Sequence, residues 1–352
     1  MTEYRNILVY AMVNLGDVVL TTSAIALLKE IYPDARITML SRPIVREVIE
    51  RNPVIDDVIL FDYKAKQNSM GRMWAMVREL RARKFDLAIS FDRKLRPALL
   101  CLFAGIPVRV GPSRVFEDKP SRVTWLYTHT VPIAHDLENT LQAETYQEII
   151  RGFTGAQGHG RPVLPAPSTA ECAKAATILS SAGTRHKIGL CVKGTFGLKT
   201  WPKAYFAEVV RALHARYDAA FYLTGAPGDY AYAEEVIDAI GLPVENLCGK
   251  TNLMELAALY AQLDLLVTVD TGGAHIAAVT GVPMVVMFGC TSPRRWHPIS
   301  EHARAFTSNE PCCPCTYRET ECPSYPQPNC LYHVLPAVVT EACISYLEYD
   351  AE

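Results

Sequence analysis

Along the first half of the chain, short runs of β-branched and aliphatic residues alternate with longer stretches whose apolar positions recur at three- and four-residue spacing. The short runs at 7–10, 36–40, 58–61, 86–90 and 108–110 predict strands. The longer ones at 18–31, 44–51, 70–83 and 95–103 predict helices, with a further helix over 138–153. Strand, helix, strand in that order builds a parallel sheet covered by helices on both faces. Three prolines and three glycines between 155 and 167 then interrupt the pattern, as a linker does. It restarts with strands at 187–192, 219–224, 265–269 and 284–288 and helices at 204–216, 230–240, 253–262 and 275–279. The expected organisation is a first α/β domain over 1–160, a linker region over 161–186 and a second α/β domain over 187–335 with a cysteine-rich loop at 312–330. A terminal helix over 336–352 is free to pack back on the first domain. Open parallel sheets bind ligands at the carboxyl ends of their strands, so the loops after the strands are where chemistry is expected.

Length and composition agree with this division. The 352 residues, 49% hydrophobic and 20% charged, describe two ordinary globular domains. No apolar run approaches the ~18 residues of a spanning helix. The balance of 35 Lys and Arg against 37 Asp and Glu, a net charge of -2, argues against a nucleic-acid-binding protein. The first apolar run ends in Asn14-Leu-Gly-Asp17 and has no small-residue cleavage site, so the expected compartment is cytoplasmic. There the eleven cysteines should be thiols or metal ligands. Charge is unevenly spread: between Lys64 and Arg122 fourteen Lys and Arg face five Asp and Glu. That asymmetry suggests an anionic partner, the plainer alternative being a solvated charged face. Met73 and Trp74 in this run are candidates for contact with the inner membrane surface.

Three segments carry chemistry. Asp17 opens the helix after the first strand, either as a helix cap or as a carboxylate able to take a proton from a bound hydroxyl. Lys193-Gly-Thr195-Phe-Gly-Leu-Lys199-Thr-Trp201-Pro202 follows the first strand of the second domain. This glycine loop with a hydroxyl and two lysines suits a diphosphate. Lys199 would neutralise charge on a departing oxygen, unless it is a solvated lysine beside a packed tryptophan. Asp270-Thr271-Gly272-Gly273-Ala-His275 opens a helix whose free N–H groups and positive dipole end can meet a phosphate. Asp270 is suited to accept sugar hydroxyls, and the alternative makes it an N-cap with His275 a satisfied core histidine. Neither the G-x-G-x-x-G dinucleotide fingerprint nor the G-x-x-x-x-G-K-[ST] phosphate loop is present.

These segments, in this order, resemble the bacterial heptosyltransferases of glycosyltransferase family 9. The resemblance rests on Gly16-Asp17-x-x-x-Thr21-Thr22-x-Ala24, Thr195-x-x-x-Lys199-x-Trp201-Pro202 and Asp270-Thr271-Gly272-x-x-His275-x-Ala277-Ala278. Gly281-x-Pro283, Phe288-Gly289 and Trp296-x-Pro298 follow. It spans nearly the whole chain, with Ser23 where the family commonly has proline. It implies the GT-B fold, two Rossmann-like doubly wound domains facing a central cleft. The implied reaction is inverting transfer from a nucleoside-diphosphate sugar, ADP-heptose in the characterised members, with no catalytic cofactor. By position Asp17 resembles the general base and Lys199 the partner of the pyrophosphate. Thr195, Trp201, Asp270, Thr271, Gly272, Gly273 and His275 resemble donor-pocket residues, and Asp229 is the candidate near the nucleotide ribose. The implied acceptor is an anionic glycan or glycolipid such as a lipopolysaccharide core. A protein acceptor of the autotransporter kind and a non-catalytic sugar-nucleotide binder remain as alternatives. The oligomeric state is not given.

Cys312-Cys313-Pro-Cys315, Cys322 and Cys330 form C-x2-C-x6-C-x7-C with one cysteine spare, in a loop rich in proline. A structural zinc or iron on Cys312, Cys315, Cys322 and Cys330 is one reading, with Cys313 competing for the first position; free thiols and disulfides are the others. Members of the family that glycosylate autotransporters carry similar segments, to which four-cysteine iron binding is ascribed.

Overall fold

The computed structural model of the chain describes residues 3–62, 70–92, 94–115, 119–180, 186–315 and 319–349. The chain divides into two compact units, Met1–Ala166 and Pro167–Glu352.

In the first unit, strands β1 (Asn6–Ala11), β2 (Arg36–Ser41), β3 (Asp57–Leu60), β4 (Leu87–Ser90), β5 (Val108–Pro112) and β8 (His129–Val131) form one sheet, ordered β3-β2-β1-β4-β5-β8. Every neighbouring pair in it is parallel. β6 (Arg114–Val115) and β7 (Lys119–Pro120) make a small antiparallel pair outside it. β1 and β4 are buried almost throughout, as central strands covered on both faces must be. Helix α1 (Leu15–Ile31) packs against α5 (Gln142–Thr154), while α3 (Met70–Arg83) and α4 (Leu95–Ala104) pack together. Met76, Val77 and Leu80 of α3 and Leu100, Cys101 and Ala104 of α4 close over Leu8 and Tyr10 of β1.

The helix expected over 44–51 shrinks to a 3-10 turn, Pro43–Val45, and the single turn α2 (Arg46–Ile49). Arg51 then takes a left-handed φ of 62° and the buried Asn52 side chain donates to Val48 O and Val163 O. The helix expected from 138 starts at Gln142, because Asp136 Oδ1 accepts the N–H groups of Glu138 and Asn139 in a turn of its own. β8 escaped the sequence pattern because, of its three residues, only Val131 is buried.

The second unit repeats the architecture. Strands β9 (His186–Cys191), β10 (Ala219–Leu223), β11 (Glu245–Asn246), β12 (Leu265–Val269), β13 (Met284–Met287) and β14 (Ala303–Phe306) are all parallel, ordered β11-β10-β9-β12-β13-β14. Helices α6 (Thr169–Ser180), α7 (Lys203–Arg216), α8 (Tyr230–Ile240), α9 (Leu253–Tyr260) and α10 (Gly272–Thr280) connect or flank them. The single turns α11 (Pro293–Trp296) and α12 (Asn329–Tyr332) and the terminal helix α13 (Pro336–Tyr349) follow. α6 lies inside the stretch expected as a linker. Ser168 and Glu171 cap it reciprocally, and Ala175 and Leu179 bury its face as it packs on α9. Residues 181–185 of that stretch lie outside the described residues. Val339, Ala342, Cys343 and Leu347 of α13 enter the second unit's own core, where the helix packs against α7; 350–352 lie outside the described residues.

Both sheets have the same strand order. In each, the connection reverses direction beside the first strand, between β1 and β4 in one unit and between β9 and β12 in the other. That reversal is where an open α/β sheet opens a crevice for ligands.

Candidate active site

In the first unit the loops after β1 and β4 are tied together. The buried Asp92 carboxylate accepts Met12 N–H at 2.6 Å and Lys94 N–H at 2.8 Å, and burial pushes its pKa up. The Lys94 ammonium donates back to Met12 O. This fixes the entry to α1. Asn14 occupies the N-cap position and Gly16 and Asp17 lie in the first helical turn. Asp17 is therefore not the cap considered from sequence. Its Oδ1 accepts the hydroxyl of Tyr146, at 2.8 Å, from the buried face of α5. Phe91, just after β4, packs edge-on against the Tyr146 ring with centroids 5.7 Å apart. A carboxylate in the first turn of a helix, held by a hydroxyl donor from a neighbouring helix, has a fixed orientation at the end of β1.

In the second unit the loops after β9, β12 and β13 converge. Lys199 Nζ lies 2.6 Å from Asp270 Oδ2, and the Thr291 hydroxyl donates to the same oxygen at 2.6 Å. Asp270 is nearly buried, so its charge rests on these two partners. Thr271 is the N-cap of α10, and Asp270 lies just outside the helix. A Cβ added to Gly273 would approach only the hydroxyls of Thr271 and Tyr260, both at 3.4 Å, an ordinary contact. The protein itself thus leaves room for a side chain where the sequence has none, at a helix N-terminus whose N–H groups face outward. His275, in the second turn, is buried, and its Nδ1 has no hydrogen-bond partner among the described residues, so it is not the satisfied core histidine of the plainer reading. Burial pulls its pKa down to about 4, opposed by Asp270 and assisted by Lys199 and His297, which keeps the ring neutral at pH 7.

Other predicted donor residues divide. Thr195 is exposed in the loop. Asp229 sits in the 3-10 turn Pro227–Asp229 after β10, where Oδ1 lies 3.0 Å from Lys193 Nζ and Oδ2 accepts Ala226 N–H at 3.0 Å. Trp201 is a correction to the expectation of a donor contact. Its side chain is fully buried, Nε1 donates to Val334 O at 3.0 Å, and the ring packs on Tyr205 and Phe206. It anchors the loop from below and has no surface left for a ligand.

The cysteine-rich segment braces the same loop. Gly197 N–H donates to Glu319 Oε1, and Tyr325 Oη donates to Glu319 Oε2 at 3.3 Å. Cys290 N–H donates to Leu198 O, and a Cβ on Gly289 would collide with that oxygen. Cys290, Cys312, Cys313, Cys315, Cys322 and Cys330, with Leu198, line a cavity of about 220 Å³. Among the described residues no three His, Cys, Asp or Glu side chains are grouped as metal ligands, so a metal on Cys312, Cys315, Cys322 and Cys330 stands as an expectation. Cys312 is exposed, whereas Cys313 turns inward and its Sγ donates to Gly289 O at 2.7 Å. A hydrogen bond from the Cys330 thiol holds the Cys313 pKa below the ordinary thiol value. Residues 316–318 lie outside the described residues.

Tyr146, Thr291 and Glu319 were not singled out from sequence. Thr291 had a signal, since it lies in the loop after a central strand. Tyr146 and Glu319 had none, because each acts through a contact more than a hundred residues away.

Comparison with known proteins places this geometry. The model of "Glycosyltransferase family 9 (heptosyltransferase)" matches residues 73–325. "Lipopolysaccharide heptosyltransferase 3" of Escherichia coli is 28% identical over 344 residues, covering 94% of this chain and 96% of that protein. A glycosyl transferase family 9 structure from Veillonella parvula superposes with a TM-score of 0.86 at 23% identity, covering 99% of both chains. The E. coli ADP-heptose lps heptosyltransferase II superposes with a TM-score of 0.79 at 23% identity, covering 99% of this chain and 100% of that one. At these identities the structures establish the α/β GT-B fold, and the family match establishes the chemistry class. The chain belongs to glycosyltransferase family 9, the heptosyltransferases, and is a glycosyltransferase.

Proposed function

We propose that this enzyme transfers a heptose from ADP-heptose to a hydroxyl of a lipopolysaccharide core, with inversion at the anomeric carbon and without a metal in the reaction. The carrying observation is the cluster of Lys199, Asp270 and Thr291 beside the glycine-opened N-terminus of α10. A cation, a helix dipole and free N–H groups together suit a diphosphate, and a carboxylate among them suits a sugar hydroxyl. The names of the relatives, lipopolysaccharide heptosyltransferase 3 and ADP-heptose lps heptosyltransferase II, support the donor and the acceptor class.

In this reading the incoming diphosphate takes Lys199 from Asp270, and Asp270, still held by Thr291, turns to the sugar hydroxyls. Thr195 and the N–H groups of Gly272 and Gly273 contact phosphate oxygens, and Asp229 is the candidate for the ribose. Asp17, oriented by Tyr146, takes the proton from the acceptor hydroxyl as its oxygen attacks the anomeric carbon. The bond to the diphosphate breaks with its electron pair leaving on the phosphate oxygen, where Lys199 and the helix terminus stabilise the charge. The exposed Arg72, Arg78, Arg81, Lys84, Arg96 and Arg122 support an anionic acceptor and a place at the cytoplasmic face of the inner membrane; Lys64, Lys66 and Arg93 of the same run lie outside the described residues.

The test is to supply ADP-heptose with and without a heptose-deficient core acceptor. ADP should appear only with acceptor, and NMR should find the opposite anomeric configuration in the product. Brief chelation should leave the initial rate unchanged. Acceptor-independent ADP release, retained configuration, or a chelated enzyme revived only by metal would each overturn the corresponding part.

A further inference from the structure

The outer face of α3 and α4 in the first unit carries apolar side chains that the core does not use. Met70 and Trp74 lie one helical turn apart on α3 and are 76% and 52% exposed; Arg78 and Arg81 continue the same stripe. On α4, Leu95, Leu99 and Phe103 recur at four-residue spacing, with Leu95 and Phe103 exposed. The two stripes meet: the Trp74 and Phe103 rings lie 5.9 Å apart, and the Arg81 guanidinium donates to Phe103 O at 2.6 Å. Leu99 and Leu102 pack on the cluster of Ala98, Val123 and Leu126, which brings the 3-10 turn Thr124–Leu126 alongside α4. That turn presents Trp125, 68% exposed.

Of the four tryptophans, Trp201 is fully buried and Trp296 half-buried; the two exposed ones are both here. Around them Arg72, Arg78, Arg81, Arg96 and Arg122 are exposed, and the acidic Glu79 is paired to Arg83. An apolar patch of this kind marks an interaction surface. Tryptophan beside arginine on an amphipathic face is the composition that seats in the headgroup region of an anionic bilayer, the ring at the boundary and the cation on the phosphates. No helix among the described residues is long and apolar enough to cross a membrane, so attachment would be to the surface.

We infer that the α3–α4 face, with Met70, Trp74, Phe103 and Trp125 inserted and the arginines around them, docks this enzyme on a bilayer rich in anionic headgroups. The inference rests on the lipid-linked acceptor proposed above and adds the surface that brings the enzyme to it. A water-soluble acceptor would gain nothing from this face; an acceptor embedded in the bilayer would be met at raised local concentration.

The full chain should co-sediment with vesicles of phosphatidylglycerol and phosphatidylethanolamine and not with vesicles of phosphatidylcholine alone, and added salt should weaken the binding. Lipids brominated in the acyl chain should quench part of the tryptophan fluorescence. The double variant Trp74→Ser, Trp125→Ser should bind these vesicles about tenfold or more weakly, as should Arg78→Glu with Arg122→Glu, where charge is reversed at two points. The tryptophan double variant should keep wild-type transfer to a water-soluble core fragment and lose rate on acceptor embedded in vesicles. Binding that is absent, equal on phosphatidylcholine, or unchanged in both double variants would overturn the surface, as it would if a protein partner covered this face instead. Wild-type enzyme that docks through the patch yet transfers nothing to the soluble fragment would strike the donor and acceptor reading alone.

Discussion

The two units share one strand order and one kind of crevice but arm it differently. The first places the Asp17 carboxylate in the opening turn of a helix, where it accepts the Tyr146 hydroxyl from α5. The second brings three loops together, pairs Lys199 with a nearly buried Asp270 and holds that carboxylate with Thr291. The proton transfer proposed for Asp17 calls for orientation and room. A group that meets a dianionic leaving group needs charge, and a cation buried without a ligand needs an internal counter-ion. The same scaffold supports both because the loops at the carboxyl ends of its strands vary independently of the core.

The sharpest way to break this division is Asp17→Ala. Turnover should fall by about 10² to 10⁴, the range for losing a general base, while calorimetry shows unchanged affinity for ADP-heptose. Near-normal turnover would reduce Asp17 to a structural group. Lys199→Ala should behave differently, weakening ADP binding and slowing transfer together by about 10² in kcat/KM, because the ammonium acts on ground state and transition state alike. Asp270 then loses its counter-ion, so Tm should fall as well. Lys199→Gln, which keeps an N–H for Asp270, should recover much of the Tm and little of the ADP affinity. Unchanged ADP binding in both variants would confine Lys199 to its ion pair.

His275 belongs to the second unit only. Its folded pKa of about 4 lies below the ordinary 6.5, so the unfolded chain binds the extra proton between those values. Stability is therefore full above about pH 6.5 and falls as the pH drops toward 4, by about 3 kcal/mol for a group of this shift. Urea unfolding across that window should show the slope in wild type and lose it in His275→Gln; an equal slope in both would mean another group carries it.

The smallest effect sharpens the first unit. Tyr146→Phe removes one hydroxyl and leaves the packing on Phe91 intact, so kcat should fall about tenfold or less with KM for donor unchanged, in line with one hydrogen bond to a charged group. In an Asp17→Asn background the same change should cost no further rate. A drop of equal size in both backgrounds would show that Tyr146 supports the fold and not the carboxylate.

Much of this was legible in the residues. The helices at Met70–Arg83 and Tyr230–Ile240 and the strand at Leu265–Val269 follow directly from hydrophobic period, because a long amphipathic face or a wholly apolar run admits few alternatives. Asp17, Lys199 and Asp270 stand out in the sequence because loops after parallel strands are short and their polar residues are few; the structure adds that Lys199 meets Asp270. Trp201 shows the limit: in a motif it reads as a ligand contact, and only packing reveals that its indole is sealed under Val334. The cysteines show it again. Their spacing leaves Cys312 and Cys313 in competition for one position, and only the folded backbone turns Cys312 outward and Cys313 inward, toward Gly289.

By itself the sequence determined what local burial determines: two runs of alternating strands and helices, the passage between them, and which loops carry charge and glycine. Tertiary structure decided which of those groups meet. Tyr146 reaches Asp17 across 129 positions, Lys199 reaches Asp270 across 71, and Glu319 reaches Gly197 across 122. Period and propensity act over one or two turns of chain, whereas a hydrogen bond between distant loops exists only after the sheet has fixed its strand order and register.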